Sequence, residues 1–128
     1  MYKRQVLACP PGLTFERARS VVPVVRLEGE IDLSRVNELR PALVALVRPA
    51  DPGLVLDLSD VEYLDSAGVH LLHELERTLS GRGQMLRISA TPGAAVLRLL
   101  ELVDLAGSLA LDGSVAAAVE LLAPRPLI

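Results

Sequence analysis

LVLDLSDVEYLDSAGVHLLHELERTL, running from Leu54 to Leu79, decides how the rest of the chain is read. Leu54 to Leu58 alternates little and is rich in Leu and Val, the pattern of a strand covered on both faces. Val69, Leu72, Leu75 or Glu76, and Leu79 then recur at helical spacing. Between strand and helix lies a sharp corner, Asp65-Ser66-Ala67-Gly68. A helix that starts there leaves its first N–H groups unpaired and aimed at the corner. The hydroxyl of Ser66 is placed to cap that helix, and equally to carry a phosphate, because a helix N-terminus favours an anion.

Outward from this stretch, the chain reads as alternating strands and helices. Residues 1–12 form a flexible leader closed by Pro10, Pro11 and Gly12. Leu13–Arg19 alternates as an edge strand does, and Val21–Leu27 is a second strand weakened at its start by Pro23. The two form a hairpin, and Gly29-Glu30-Ile31-Asp32 closes the second strand. A helix follows with Val36, Leu39, Leu43 and Leu46 or Val47 on its face. Asp32 or Ser34 caps it, and Pro41 kinks it or marks a late start. Pro49 to Gly53 is a turn by composition.

Beyond the central helix, Ser80-Gly81-Arg82-Gly83 ends it, with glycine supplying a left-handed cap. Gln84–Ser89 is a strand. Thr91-Pro92 opens a helix from about Gly93 to Leu102, which Ala106-Gly107 breaks. Ser108–Leu111 is a short strand, and Asp112 caps a last helix, Ser114–Leu122, stopped by Pro124 and Pro126. The order β-β-α-β-α-β-α-β-α implies an α/β fold, one domain over residues 13–128 around a mixed sheet, with right-handed crossovers where strands run parallel.

The composition narrows the function. With 128 residues the chain can bury a sizeable core unaided, and with 51% hydrophobic but only 2% aromatic residues that core is aliphatic. Thirteen basic and sixteen acidic residues, net charge -3, leave no basic footprint for nucleic acid, and no aromatic platforms for single strands exist. No run reaches the length of a membrane span, so no direct membrane insertion is expected. The apolar piece after Lys3 and Arg4 is too short for a signal peptide, and the expected location is the cytoplasm. The single cysteine, Cys9, excludes an internal disulfide and suits a reducing compartment.

Catalytic patterns are missing. Leu64-Asp65-Ser66-Ala67-Gly68 is not the G-x-S-x-G elbow, no G-x-x-x-x-G-K-S/T loop occurs, and no base is paired with Ser66. A nucleotide-binding or hydrolysing module therefore ranks low, and no enzyme activity and no cofactor are expected. Glu28, Glu30, Asp32, Asp57, Asp60 and Asp65 gather at strand ends and read as caps and solvated turn residues. His70 and His73, three apart, share a helix face with Glu74 and Arg77, opposite Leu72, Leu75 and Leu79. A zinc site would need another ligand and Cys9 is remote in sequence, so no metal is expected.

Two strings combine at this point: Gly29-Glu30-Ile31-Asp32 before an amphipathic helix, and Asp65-Ser66-Ala67-Gly68 between VLDLSDVEYL and a Leu-rich helix. Together they resemble the STAS domain family over roughly Leu13 to Leu122, and most of all its bacterial anti-sigma-factor antagonists. The resemblance implies a STAS-like single domain with helices packed mainly on one side of the sheet. It also implies partner switching. Such an antagonist binds an anti-sigma factor that is a serine kinase, frees the sigma factor, is switched off by phosphorylation of the corner serine, and is reset by a serine phosphatase. Carried onto this chain, the phosphoacceptor is Ser66, flanked by Asp32 and Asp65. The docking face would comprise Asp32, Asp65, Ser66, Ala67, Gly68, His70, His73 and Arg77. Many relatives carry a second hydroxyl where Ala67 stands. Other members are not phosphorylated and serve as subunits docking on the ATPase of ABC-type lipid transporters, which is the alternative reading. The sequence leaves the oligomeric state open.

Overall fold

A computed structural model describes residues 10–19, 21–103 and 109–123. The elements are β1 (Leu13–Ala18), β2 (Val22–Ile31), α1 (Leu33–Leu46), β3 (Gly53–Leu64), α2 (Ser66–Ser80), β4 (Met85–Ser89), α3 (Ala95–Val103), β5 (Ala110–Asp112) and α4 (Val115–Leu122). The strands lie side by side in sequence order. β1 and β2 are antiparallel; β2, β3, β4 and β5 run parallel. Each parallel crossover steps one strand in the same direction. With a single hand of crossover, the three connecting helices must then fall on one face of the sheet.

The packing follows that rule. On one face Leu27 of β2, Leu54, Leu56 and Leu58 of β3 and Leu86 and Ile88 of β4 form one cluster with three helices. α1 contributes Val36, Leu39 and Leu43, α2 contributes Leu71, Leu72, Leu75 and Leu79, and α3 contributes Val96 and Leu100. On the other face, among the described residues, α4 covers Val22, Val24 and Val55 with Ala118, Val119 and Leu122. β3 is therefore roofed on both sides, which is why Leu54, Val55, Leu56 and Leu58 are all buried and the stretch alternates little. Each such buried Leu or Val contributes about 1.5–3 kcal/mol.

Several local expectations are corrected. β3 runs on to Leu64 and β2 to Ile31, because the two stay paired beyond register shifts at Arg26/Glu28 and Gly29/Glu30. Pro23 sits in β2 one residue before its pairing with β3 begins at Val24↔Val55, so the missing N–H interrupts no bond to β3. α1 continues through Pro41, which lies on its exposed side. The left-handed glycine expected in Ser80-Gly81-Arg82-Gly83 is Gly83 (φ 76°), while Gly81 is right-handed helical. α3 starts at Ala95 rather than Gly93, whose φ of 89° is incompatible with a right-handed helix. Ser114, not Asp112, caps α4, accepting a bond from the Ala117 N–H. Asp112 is instead engaged by Arg87 through two bonds of 2.8 Å.

Residues 1–9 of the expected leader, with Cys9, lie outside the described residues, as do Ser20 of the hairpin turn, Ala106, Gly107, Pro124 and Pro126. Residues 11 and 12 are held in place: the Gly12 carbonyl accepts from the Glu28 N–H at 3.0 Å, and the Pro11 carbonyl accepts from Arg35 Nη2 at 2.8 Å.

Candidate functional site

β2 and β3 end together, and α1 and α2 leave from neighbouring points. Each helix begins with an aspartate in extended conformation. Asp32 caps α1, its Oδ1 accepting from Ser34 N (3.1 Å) and from Ser34 Oγ (2.6 Å). The Ser34 hydroxyl, with the backbone N–H groups of Ser34, Arg35 and Asp32 adding to it, holds the Asp32 carboxyl below its usual range. Asp65 caps α2, its Oδ1 accepting from Gly68 N at 3.0 Å. Its second oxygen reaches across to α1 and accepts from Leu33 N at 3.2 Å. One carboxylate therefore joins the starts of two helices. Its backbone joins in as well, because the Asp65 N–H donates to the Ile31 carbonyl at 3.2 Å.

This arrangement corrects the expectation for Ser66. The capping residue is Asp65, and Ser66 is the first residue of the helix proper. Its side chain is exposed and its hydroxyl makes no hydrogen bond to the described residues. Gly68 explains how close the elements come: a Cβ there would lie 2.7 Å from the Ile31 carbonyl oxygen and 2.7 Å from Leu64 Cδ1. Glycine is required by space, not by an unusual φ. Gly68 is buried and Ala67 packs against the core, so both shape the corner while presenting little to a partner.

Ser66, His70, His73 and Arg77 are spaced four, three and four apart and form one stripe along α2. The buried positions Leu71, Leu72, Leu75 and Leu79 face the other way. His70 is exposed, with Nε2 3.7 Å from Glu74 Oε2, and His73 is half-buried. Glu74 Oε1 also accepts from Arg40 Nε at 3.0 Å, tying α2 to α1 beside the stripe. The structure thus brings Asp32, Asp65, Ser66, His70, His73 and Arg77 to one side of the molecule.

The expected acidic cluster divides. Asp32 and Asp65 are caps, and Glu28, Glu30 and Asp60 are exposed. Asp57 is no solvated turn residue: it is 4% exposed on the α4 face of the sheet, bonded to Arg26 Nε at 3.0 Å and to Ser59 N at 3.0 Å. Burial pushes its carboxyl up, but the bonds from Ser59 and Arg26 outweigh this and hold it low. No group of three metal-ligating side chains occurs among the described residues. No helix among them is long and apolar enough to cross a membrane.

Sequence reasoning missed two apolar side chains beside the corner. Leu33, whose N–H is held by Asp65, is 67% exposed, and Tyr63, two residues before Asp65, is 48% exposed. The available signal was an apolar residue directly after a helix cap and an aromatic one at a strand end.

A family profile described as "Mlab, STAS domain" matches residues 14–119. The chain belongs to the STAS domain family. No curated protein sequence matches it. Among solved structures, this STAS domain is similar to an anti-sigma factor antagonist from Mycobacterium paratuberculosis, at 29% identity and a TM-score of 0.73, covering 92% of this chain and 100% of that one. It also resembles a putative anti-sigma factor antagonist from Thermotoga maritima, at 18% identity and a TM-score of 0.75, covering 88% and 95%. A third likeness is to the Bacillus cell fate determinant SpoIIAA in its phosphorylated form, at 18% identity and a TM-score of 0.62, covering 85% and 97%. The unphosphorylated form of SpoIIAA matches at a TM-score of 0.67, so this STAS domain shares its fold with both. The mixed sheet with helices mainly on one side is the architecture expected from the resemblance.

Proposed function

We propose that this STAS domain is an anti-sigma-factor antagonist of a partner-switching pathway. In this reading it binds an anti-sigma factor serine kinase in the cytoplasm, frees the sigma factor, and is released when Ser66 is phosphorylated. A serine phosphatase restores the binding form. The observation that carries the reading is the division of labour at the corner. Asp65 does the capping, so the Ser66 hydroxyl is exposed at a helix start and unengaged among the described residues. The likeness to antagonists, one of them known in a phosphorylated form, supports it.

The physics of the switch is local. A phosphate adds about -1.5 to -2 charges at pH 7. At the start of α2 the helix dipole tolerates that charge, so the domain need not refold. Asp65 is adjacent, and Asp32 belongs to the helix start that Asp65 contacts. The added charge therefore builds up a negative corner, and a partner packed over Ser66 is repelled and sterically displaced.

The docking face in this reading is the stripe Ser66, His70, His73 and Arg77 with Asp32 and Asp65 at its end. A docking subunit of an ABC-type lipid transporter ATPase is the second reading. Ala67 favours it, because the corner lacks the second hydroxyl found in many phosphorylated relatives.

Intact mass after incubation with a lysate of the source organism and ATP separates the two. The switch predicts one added phosphate on the native chain and none on Ser66→Ala. A native chain that stays unmodified while a pull-down returns a transporter ATPase overturns it.

A further inference from the structure

The Ser66 corner is held from a distance by a side chain that touches neither Ser66 nor Asp65. Arg35, on the first turn of α1, bonds three backbone carbonyls: Glu30 O at 2.6 Å and Glu28 O at 3.0 Å through Nη1, and Pro11 O at 2.8 Å through Nη2. Two of these carbonyls flank Gly29, where β2 leaves its regular register with β3 and the backbone adopts φ 84°. The third belongs to the segment entering β1. A guanidinium is suited to this work, since its planar fork presents several donors at fixed angles.

The clamped segment leads directly into the corner. One residue beyond Glu30, the Ile31 carbonyl accepts the Asp65 N–H and lies where a side chain on Gly68 would strike it. Two residues further on, the Leu33 N–H fixes the second oxygen of Asp65. The position of Ser66 is therefore set by β2 as well as by its own helix, and the irregular stretch of β2 is set by Arg35.

We infer that Arg35 is the positioning residue of the Ser66 corner, acting through the irregular end of β2 on Asp65. The inference rests on the antagonist reading for its functional consequence, though its structural part can be tested alone. Arg35→Ala removes the clamp. Arg35→Lys keeps the charge and reaches fewer carbonyls, so it restores part of the effect.

Native-state amide exchange on the full chain tests the structural part. In Arg35→Ala the amides of Leu33, Asp65 and Gly68 are expected to exchange about tenfold faster, the size of one charge-assisted hydrogen bond, with Arg35→Lys in between. Amides of Leu56 and Ile88 in the central strands are expected to keep their rates. Unchanged exchange at the corner, or an equal increase at Leu56 and Ile88, overturns the inference. The lysate-and-ATP assay read by intact mass tests the functional part: Ser66 of Arg35→Ala is expected to gain phosphate about tenfold more slowly than the native chain. Equal rates overturn positioning. A native chain that gains no phosphate overturns the antagonist reading instead, and the exchange rates still decide the role of Arg35.

Discussion

Three helices of this domain start beside a serine, and the three hydroxyls do different things. At α4, Ser114 is itself the cap and bonds the Ala117 N–H. At α1, Ser34 stands two residues after the cap, and its hydroxyl is taken up by Asp32. At α2, Ser66 stands one residue after the cap, where its hydroxyl reaches no partner among the described residues. The two aspartates differ in the complementary way. Asp32 serves its own helix, whereas Asp65 serves its own helix and the neighbouring one. A shift of one position along the first turn thus separates a structural hydroxyl from one available for chemistry, and a bridging carboxylate makes the vacancy possible.

The comparison can be broken most severely at Gly68. Gly68→Ala is expected to push α2 from the end of β2 and to lower stability by about 1–3 kcal/mol, measured by urea unfolding, because backbone and Leu64 both obstruct the methyl group. A neutral result would mean that the helix start can move without cost. Next comes the pair of caps. Asp65→Ala is expected to cost about 1–2 kcal/mol and more than Asp32→Ala, since it breaks bonds to both helices. Equal losses would show that the bond to Leu33 contributes nothing.

Asp32 also gives a pH test. Its carboxyl is held below the ordinary carboxylate value, chiefly by the Ser34 hydroxyl. A depressed carboxylate stabilises the fold above its unfolded pKa of about 3.9 and loses that contribution as pH falls through the folded value. Ser34→Ala is expected to raise the Asp32 titration midpoint in NMR and to flatten the acid limb of the stability curve. The smallest effect is expected at Ser66. Ser66→Ala should stay within about 0.5 kcal/mol of the native chain by thermal unfolding, because no bond is lost. A cost above 1 kcal/mol would return the hydroxyl to a capping role.

Much of the architecture was legible because hydrophobic patterning and turn chemistry are properties of neighbouring residues. The Leu- and Val-rich stretch Leu54–Leu58, with Asp57 its one polar residue, signalled a strand roofed on both faces, and α4 supplies the second roof. Leu72, Leu75 and Leu79 marked the inner side of α2, and their absence from the opposite side placed His70, His73 and Arg77 outward. The misreadings fall at element ends. Asp112 against Ser114 and Gly93 against Ala95 are choices between residues two positions apart, and they turn on backbone angles that neighbours impose.

By itself the sequence determined the alternation of strands and helices, the buried faces and the corner Asp65-Ser66-Ala67-Gly68, because periodicity and turn chemistry are properties of adjacent residues. Only the tertiary structure decided which side chain caps α2, why Gly68 must lack a Cβ, and how Arg35 comes to hold the end of β2. The cap itself is a local bond from Gly68 N to Asp65, but its reach to Leu33, the closeness of Gly68 to Ile31 and the bond from Arg35 to Pro11 each join groups more than twenty residues apart. Spacing along the chain carries no record of such meetings until the parallel strands β2 and β3 bring the two helix starts together.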